Sequence, residues 1–288
     1  MTPTIQENVM FEKNRLTAML RKNEVPLGMQ CFTSDPALIE VLGLTGFDFV
    51  MIDTEHSGNN PRALEDTVRV ADGVGLVTLV RVSEHSNTGD IHRALEAGAH
   101  GVFLPLVNSA ADVRAAADAA FFPPKGTRGI CPSVRAARYN WQTFEQYTAW
   151  NNDEVLLIPM IERPAAVDNI DEICALDEVQ MLVFAAGDLA YAMNEGSLMM
   201  ESKLVQAAYR KVLDACKRHN VAVIGGPVLD PTPASCRKAL DDGVTVFCLG
   251  LDVLGFRRIC EQYVGALNAG VSGTHYNRAP APVSGFKG

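Results

Sequence analysis

The sequence predicts a single (β/α)8 barrel, and three observations predict it. Short apolar runs rich in β-branched and aromatic residues alternate with amphipathic helical patterns from Val25 onward, which is the sign of repeated βα units around a parallel sheet. The runs number eight, and eight units in about 240 residues match a closed barrel better than an open doubly wound sheet. Polar residues gather where the runs end, the place where such barrels keep their chemistry.

The predicted strands are residues 27–31, 47–52, 76–82, 101–105, 155–161, 181–184, 222–224 and 245–249. Between and after them, 3.6-residue periodicity predicts helices over 36–44, 62–70, 88–97, 110–119, 165–174, 203–217, 233–241 and 252–267. Several open on a cap (Ser34 or Asp35 before Pro36, Asn87 before Thr88, Asp230 before Pro231), and several close on glycine, at Gly46, Gly98 and Gly243. The chain divides into an N-terminal segment, 1–24, with an extra helix over 11–22 that could close the barrel bottom, a barrel, 25–268, and a flexible Gly/Pro/Ser-rich tail, 269–288. The link between strands four and five, residues 121–152, is long and carries Trp141, Phe144 and Tyr147, read as packing; it is expected to cover or border the site.

A 48% hydrophobic composition supports a sizeable core and excludes general disorder. A net charge of -9 without any Lys/Arg block argues against nucleic acid and anionic membrane as partners, leaving small molecules. The seven cysteines are odd in number, scattered and never Cys-x-x-Cys, which reads as reduced core thiols. No signal-like or membrane-length apolar run is present, so the expected setting is the cytoplasm.

The strand exits carry the functional reading. The second strand gives Asp53, Glu55 and His56, the third Arg81, the fifth Glu162 and Arg163, the sixth Asp188, the seventh Gly225-Gly226, and the eighth leads to Asp252. Glu162 and Asp188 at neighbouring exits could share a divalent cation, their all-oxygen set favouring Mg²⁺ or Mn²⁺ over zinc; each could instead pair with arginine or cap a helix. His56 reads as a structural histidine or a general base, and Arg81 as a solvated charge or an enolate-stabilising cation. Gly187 and Asp188 lie where free helix N–H groups could hold a substrate carboxylate. His85, His92, His100, His219 and His275 show no metal-ligand spacing and read as structural, and neither a G-x-G-x-x-G nor a P-loop is present.

The ordered set Gly46-Phe47-Asp48-Phe49, Ile52-Asp53-Thr54-Glu55-His56, Val80-Arg81-Val82, Gly98-Ala99-His100-Gly101, Phe122-Pro123-Pro124-Lys125-Gly126-Thr127-Arg128-Gly129, Ile161-Glu162 and Gly187-Asp188-Leu189 resembles the HpcH/HpaI family of class II, metal-dependent 2-keto-acid aldolases. The resemblance runs from about Leu16 to Leu267. It implies a barrel whose last helix exchanges with a neighbour in hexamers built as trimers of dimers, and a divalent metal (Mg²⁺, Mn²⁺ or Co²⁺) on Glu162 and Asp188. It further implies His56 as the catalytic histidine, Glu96 as its acidic partner, Arg81 as the oxyanion stabiliser, and the Gly187 and Asp188 amides as the carboxylate holder.

The chain departs from that pattern at three places. It reads Ala185-Ala186-Gly187-Asp188 where members commonly have Gly-Pro-x-Asp, Gly28-Met29-Gln30 where many have a first-strand aromatic, and Glu96 where many have Asp. The function expected is reversible cleavage of a 4-hydroxy-2-keto acid to pyruvate and an aldehyde through a metal-stabilised pyruvate enolate, with His56 as base. The alternatives are oxaloacetate decarboxylation, or a related carbon–carbon lyase, on the same enolate, and a non-catalytic ligand-binding barrel.

Overall fold

Eight parallel strands, β1 (Leu27–Cys31), β2 (Phe49–Asp53), β3 (Val77–Arg81), β4 (Gly101–Leu104), β5 (Leu156–Ile161), β6 (Met181–Phe184), β7 (Ala222–Val228) and β8 (Val246–Leu251), pair in sequence order and close through β8 onto β1. This computed structural model describes residues 13–33, 35–141, 143–228 and 231–276. Around the barrel run α1 (Arg15–Arg21), α2 (Pro36–Leu44), α3 (Pro61–Gly73), α4 (Thr88–Ala97), α5 (Ala110–Ala120), α6 (Phe144–Glu154), α7 (Pro164–Asp168), α8 (Ile170–Cys174), α9 (Ala186–Ala192), α10 (Lys203–His219), α11 (Pro233–Asp242) and α12 (Asp252–Val271).

Local chemistry sets most element ends. Asp35 and Asn87 cap α2 and α4 with their side chains, and Gly98 and Gly243 end α4 and α11 in the left-handed region. The expected caps Ser34 and Asp230 lie outside the described residues; Thr232 caps α11, with Pro233 opening it. The predicted helix over 165–174 is two short helices, α7 and α8, because Asn169 leaves helical backbone geometry at φ -93 and ψ 14. The helix expected to start at Gly187 and Asp188 is α9, only seven residues long and so without a readable period of its own. At the C-terminus α12 runs past the predicted tail boundary to Val271.

The period-2 alternation of the strands sorts the core into two layers. One face of each strand packs against the helices. The other fills the barrel with Phe49, Met51, Val77, Leu79, Phe103, Leu156, Ile158, Met160, Met181, Val183, Ile224, Val246 and Cys248. Leu16 of α1, fully buried, joins this inner cluster and closes the N-terminal end. Asn14 anchors that plug by donating to the His100 and Glu154 carbonyls. Burying a leucine so completely contributes about 2 kcal/mol.

The long link between strands four and five does not border the strand exits, contrary to the sequence reading. It follows α5, and a helix of a βα unit has by then returned the chain to the N-terminal end of the barrel. There Ala136 N donates to Glu96 O, Arg135 binds Ala97 O and Asp72, and Phe122 N donates to Asn152 Oδ1. Phe122, Ala136, Ala137 and Tyr147 form a small second core with Trp150 against it.

Candidate active site

The inner rows of β1, β2, β3 and β5 each run one step beyond their apolar filling, to Gln30, Asp53, Arg81 and Glu162. All four side chains are buried. Asp53 is fully buried and central: its Oδ2 accepts from Gln30 Nε2 at 2.9 Å and from Arg81 Nη2, and its Oδ1 accepts from Glu55 N at 2.9 Å and His56 N at 2.8 Å. The latter pair forms an Asx turn that shapes the loop presenting His56. Thr54 ties the same loop to β3 by donating from N and Oγ1 to Arg81 O.

Arg81 also meets Glu55, Nη1 to Oε2 at 3.2 Å, while its buried Nε has no protein partner in the structure. A buried guanidinium N–H left open inside a barrel mouth is a donor awaiting an acceptor. His56, 62% exposed, puts Nε2 3.8 Å from Glu55 Oε2.

Glu162 follows β5 and accepts from Leu106 N at 2.5 Å through Oε1. Burial, with Asp188 and Glu55 adding like charge, pushes its carboxyl up to about 7, against the pull of the Leu106 N–H and Arg81. Burial also raises Glu55, with Asp53 and Asp188 adding to it and Arg81 and His56 opposing. These couplings bring Glu55, Arg81, Glu162 and Asp188 into one electrostatic cluster. Asp188 is exposed and sits in the first turn of α9, whose N-cap is Ala185, so it does not serve as the helix cap. The N–H groups of Gly187 and Asp188 fall in that first turn, where a helix has no internal acceptors for them.

Two carboxylates near enough for their charges to act on each other, one of them buried, fit a hard divalent cation that takes its remaining oxygens from water or substrate. Among the described residues no group of three or more His, Cys, Asp or Glu side chains is arranged to hold a metal, so oxygens from outside the chain would have to complete the shell.

Two sequence readings change. Glu96 is not brought to His56 within the chain. It lies in the last turn of α4, near the start of β4, whereas His56 follows the end of β2, and a five-residue strand separates those ends by ~16 Å. The Glu96 charge acts instead on Arg128 and Tyr147. Asp252 serves structure: it accepts from Phe32 N, Thr33 N and Thr33 Oγ1, clamping the loop after β1 to α12. Gln30 and the hub role of Asp53 escaped the sequence reading. Extending each strand's alternation one residue inward past the apolar run would have found both.

The HpcH/HpaI aldolase/citrate lyase family model matches residues 27–258. The chain is 29% identical over 262 residues to 5-keto-4-deoxy-D-glucarate aldolase of Klebsiella pneumoniae, covering 90% of this chain and 98% of that protein. The enzyme of the same name from Salmonella newport is 31% identical over 251 residues, with 86% and 94% covered. The crystal structure of an HpcH/HpaI aldolase/citrate lyase family protein from Burkholderia cenocepacia superposes with TM-score 0.81 at 27% identity, covering 89% of this chain and all of that one.

Proposed function

Because the chain belongs to the HpcH/HpaI aldolase/citrate lyase family, we propose that this carbon–carbon lyase reversibly cleaves a 4-hydroxy-2-keto acid to pyruvate and an aldehyde, using a divalent cation (Mg²⁺, Mn²⁺ or Co²⁺) at Glu162 and Asp188. The observation that carries the reading is the Glu162 carboxyl, buried in the barrel mouth beside Asp188 and Glu55 and raised to about 7, a clustering of acid that a cation relieves. The names of the relatives suggest a sugar-acid-derived substrate.

When bound, the cation supplies Lewis-acid stabilisation of charge on the keto and carboxylate oxygens of the pyruvate unit. Arg81, fixed by Asp53 and Glu55, offsets the negative charge that develops on the keto oxygen as the carbon–carbon bond breaks. The first-turn amides of Gly187 and Asp188 hold the substrate carboxylate. His56 takes the proton from the 4-hydroxyl in cleavage and returns it in condensation. Among the described residues no lysine stands at a strand exit, which favours the metal route over an imine.

The exposed face of α12, with Phe256, Ile259, Tyr263 and Leu267, supports exchange of this helix with a neighbour in a homo-oligomer, a hexamer in this reading. No helix of the described residues is long and apolar enough to cross a membrane. The cytoplasm, where thiols stay reduced, suits the seven cysteines.

Pyruvate release from a panel of 4-hydroxy-2-keto acids and oxaloacetate, with metal and with EDTA, tests the proposal. Metal-dependent release from hydroxy-keto acids is expected. Turnover of oxaloacetate alone would make the enzyme a decarboxylase, and full activity in exhaustively chelated protein would remove the metal from the reading.

A further inference from the structure

His85 lies on the loop between β3 and α4, its side chain only 14% exposed, and its Nδ1 stands 2.9 Å from the carbonyl oxygen of Pro105. A carbonyl only accepts, so Nδ1 carries the proton in this contact. The other polar end of the same peptide unit is the Leu106 N–H, which donates to Glu162 Oε1. The Pro105–Leu106 peptide is thus gripped from both sides, an imidazole on its oxygen and the buried carboxylate on its N–H.

That peptide is not in a relaxed place. Leu106 has φ 59, in the left-handed region that a bulky residue avoids. Such geometry persists where the surroundings over-determine it, and here they do. Leu106 O accepts from Asn108 Nδ2 at 3.0 Å, Asn108 N donates to Asp112 Oδ2 at 2.8 Å, and Asn169 Nδ2 donates to Asn108 O at 3.0 Å. Asp112 Oδ1 in turn stands 3.9 Å from His85 Nε2. His85 and Glu162 hold the Pro105–Leu106 peptide itself, and the Asn108 contacts hold the chain that follows it.

We propose that His85 is a positioning residue for Glu162. By donating to Pro105 O it locks the strained peptide so that the Leu106 N–H engages Glu162 Oε1 and orients the carboxylate that would hold the cation. Hydrogen bonds at the two ends of one amide polarise each other, so the imidazole also strengthens the grip on the carboxylate. This inference rests on the metal role given above to Glu162.

The test is Mn²⁺ binding to metal-free enzyme, measured by calorimetry and by the paramagnetic resonance of free Mn²⁺, for wild type, Glu162→Gln, His85→Leu and His85→Asn. The Asn amide nitrogen can stand near the Nδ1 position. His85→Leu is expected to weaken Mn²⁺ binding about 10–100-fold, the usual effect of losing an outer-shell partner, and His85→Asn to recover most of it. Thermal unfolding of each metal-free variant monitors the fold; if His85→Leu does not fold, His85→Ser, too short to reach Pro105, replaces it. Unchanged affinity in the donor-less variant, or equal losses in His85→Leu and His85→Asn, overturns the positioning role while leaving Glu162 as a ligand. Wild-type enzyme that binds no Mn²⁺, or binding that survives Glu162→Gln, overturns the metal assignment and this inference with it.

Discussion

Along β1, β2, β3 and β5 the inward-facing row ends in Gln30, Asp53, Arg81 and Glu162, whereas along β6, β7 and β8 the same row ends in Ala185, Gly226 and Gly250. The first half of the barrel mouth is buried charge held by mutual hydrogen bonds. In the second half the row itself ends in backbone and a methyl group, Asp188 entering only from the first turn of α9, and Gly226 and Gly250 have φ of 132 and 88, which favour glycine. The difference teaches that one barrel splits its work: one half carries buried charge on the strand ends themselves, and the other keeps its strand ends small, leaving space and first-turn amides for a substrate and bringing its one carboxylate, Asp188, from a helix. Substitutions in the two halves should therefore fail in different ways.

The largest effect is expected from Glu162→Gln on the charged side. Losing a direct ligand should cost more activity than the roughly 10–100-fold typical of outer-shell partners, while the fold survives. Steady-state pyruvate release alongside circular dichroism checks this. Retained activity would mean that the charged half does not hold the cation where proposed.

His56→Ala and Arg81→Ala divide the charged half further. General-base assistance is typically worth about 10²–10⁴-fold, so His56→Ala should lose aldol cleavage on that scale yet keep most oxaloacetate decarboxylation, which has no hydroxyl proton to remove. Arg81→Ala should damage both reactions, because both develop enolate charge. It should also destabilise the protein by roughly 3–5 kcal/mol, since the fully buried Asp53 would lose its cation. Equal loss of both activities in His56→Ala, at unchanged metal content, would contradict the base role.

The Glu162 carboxyl gives the next effect, in the metal-free protein. Its folded pKa of about 7 lies above its ordinary value of 4.5, so between those values the folded state binds a proton that the unfolded state has lost. Stability is therefore full below the lower value and falls as pH rises, the loss complete near the upper value and amounting to roughly 3 kcal/mol. Denaturant titrations of metal-free enzyme across that window should show the decline. Glu162→Gln should flatten it, and metal binding should strengthen with pH over the same range because the ligand must lose its proton.

The smallest effect on activity is expected at Gly225, which alternates with the inward Ile224 and Gly226 of β7 and so faces the helices instead of the mouth. A Cβ at Gly225 would lie 2.7 Å from Val244 Cγ1. Gly225→Ala should cost about 1–3 kcal/mol of stability through overpacking. Its kcat should stay near wild type because no reacting group is touched. A kcat loss as large as that of His56→Ala would contradict the placement of Gly225 away from the reacting groups.

Much of this was legible before any coordinates. Apolar runs and their spacing determined the eight strands, because a strand buried on both faces must be apolar throughout and its βα partner must follow within a short loop. Arg81, Glu162, Asp188 and His56 were legible for the same reason, as polar residues at the points where apolar runs stop. What only the tertiary structure decided depends on which face a side chain takes and which end of the barrel a loop reaches. Gln30 looked like one more strand residue until closure of β1 between β2 and β8 turned it onto Asp53. Glu96 was joined to His56 by the family resemblance alone and lies at the other end of the barrel, and His85 acts across a peptide whose two ends meet it and Glu162 only after β3, β4 and β5 lie side by side. Local pattern fixes periodicity and composition, which are properties of neighbours in sequence. The contacts among Gln30, Asp53 and Arg81, and those linking His85 to Glu162, join residues distant in sequence, and the parallel pairing of neighbouring strands brings them together.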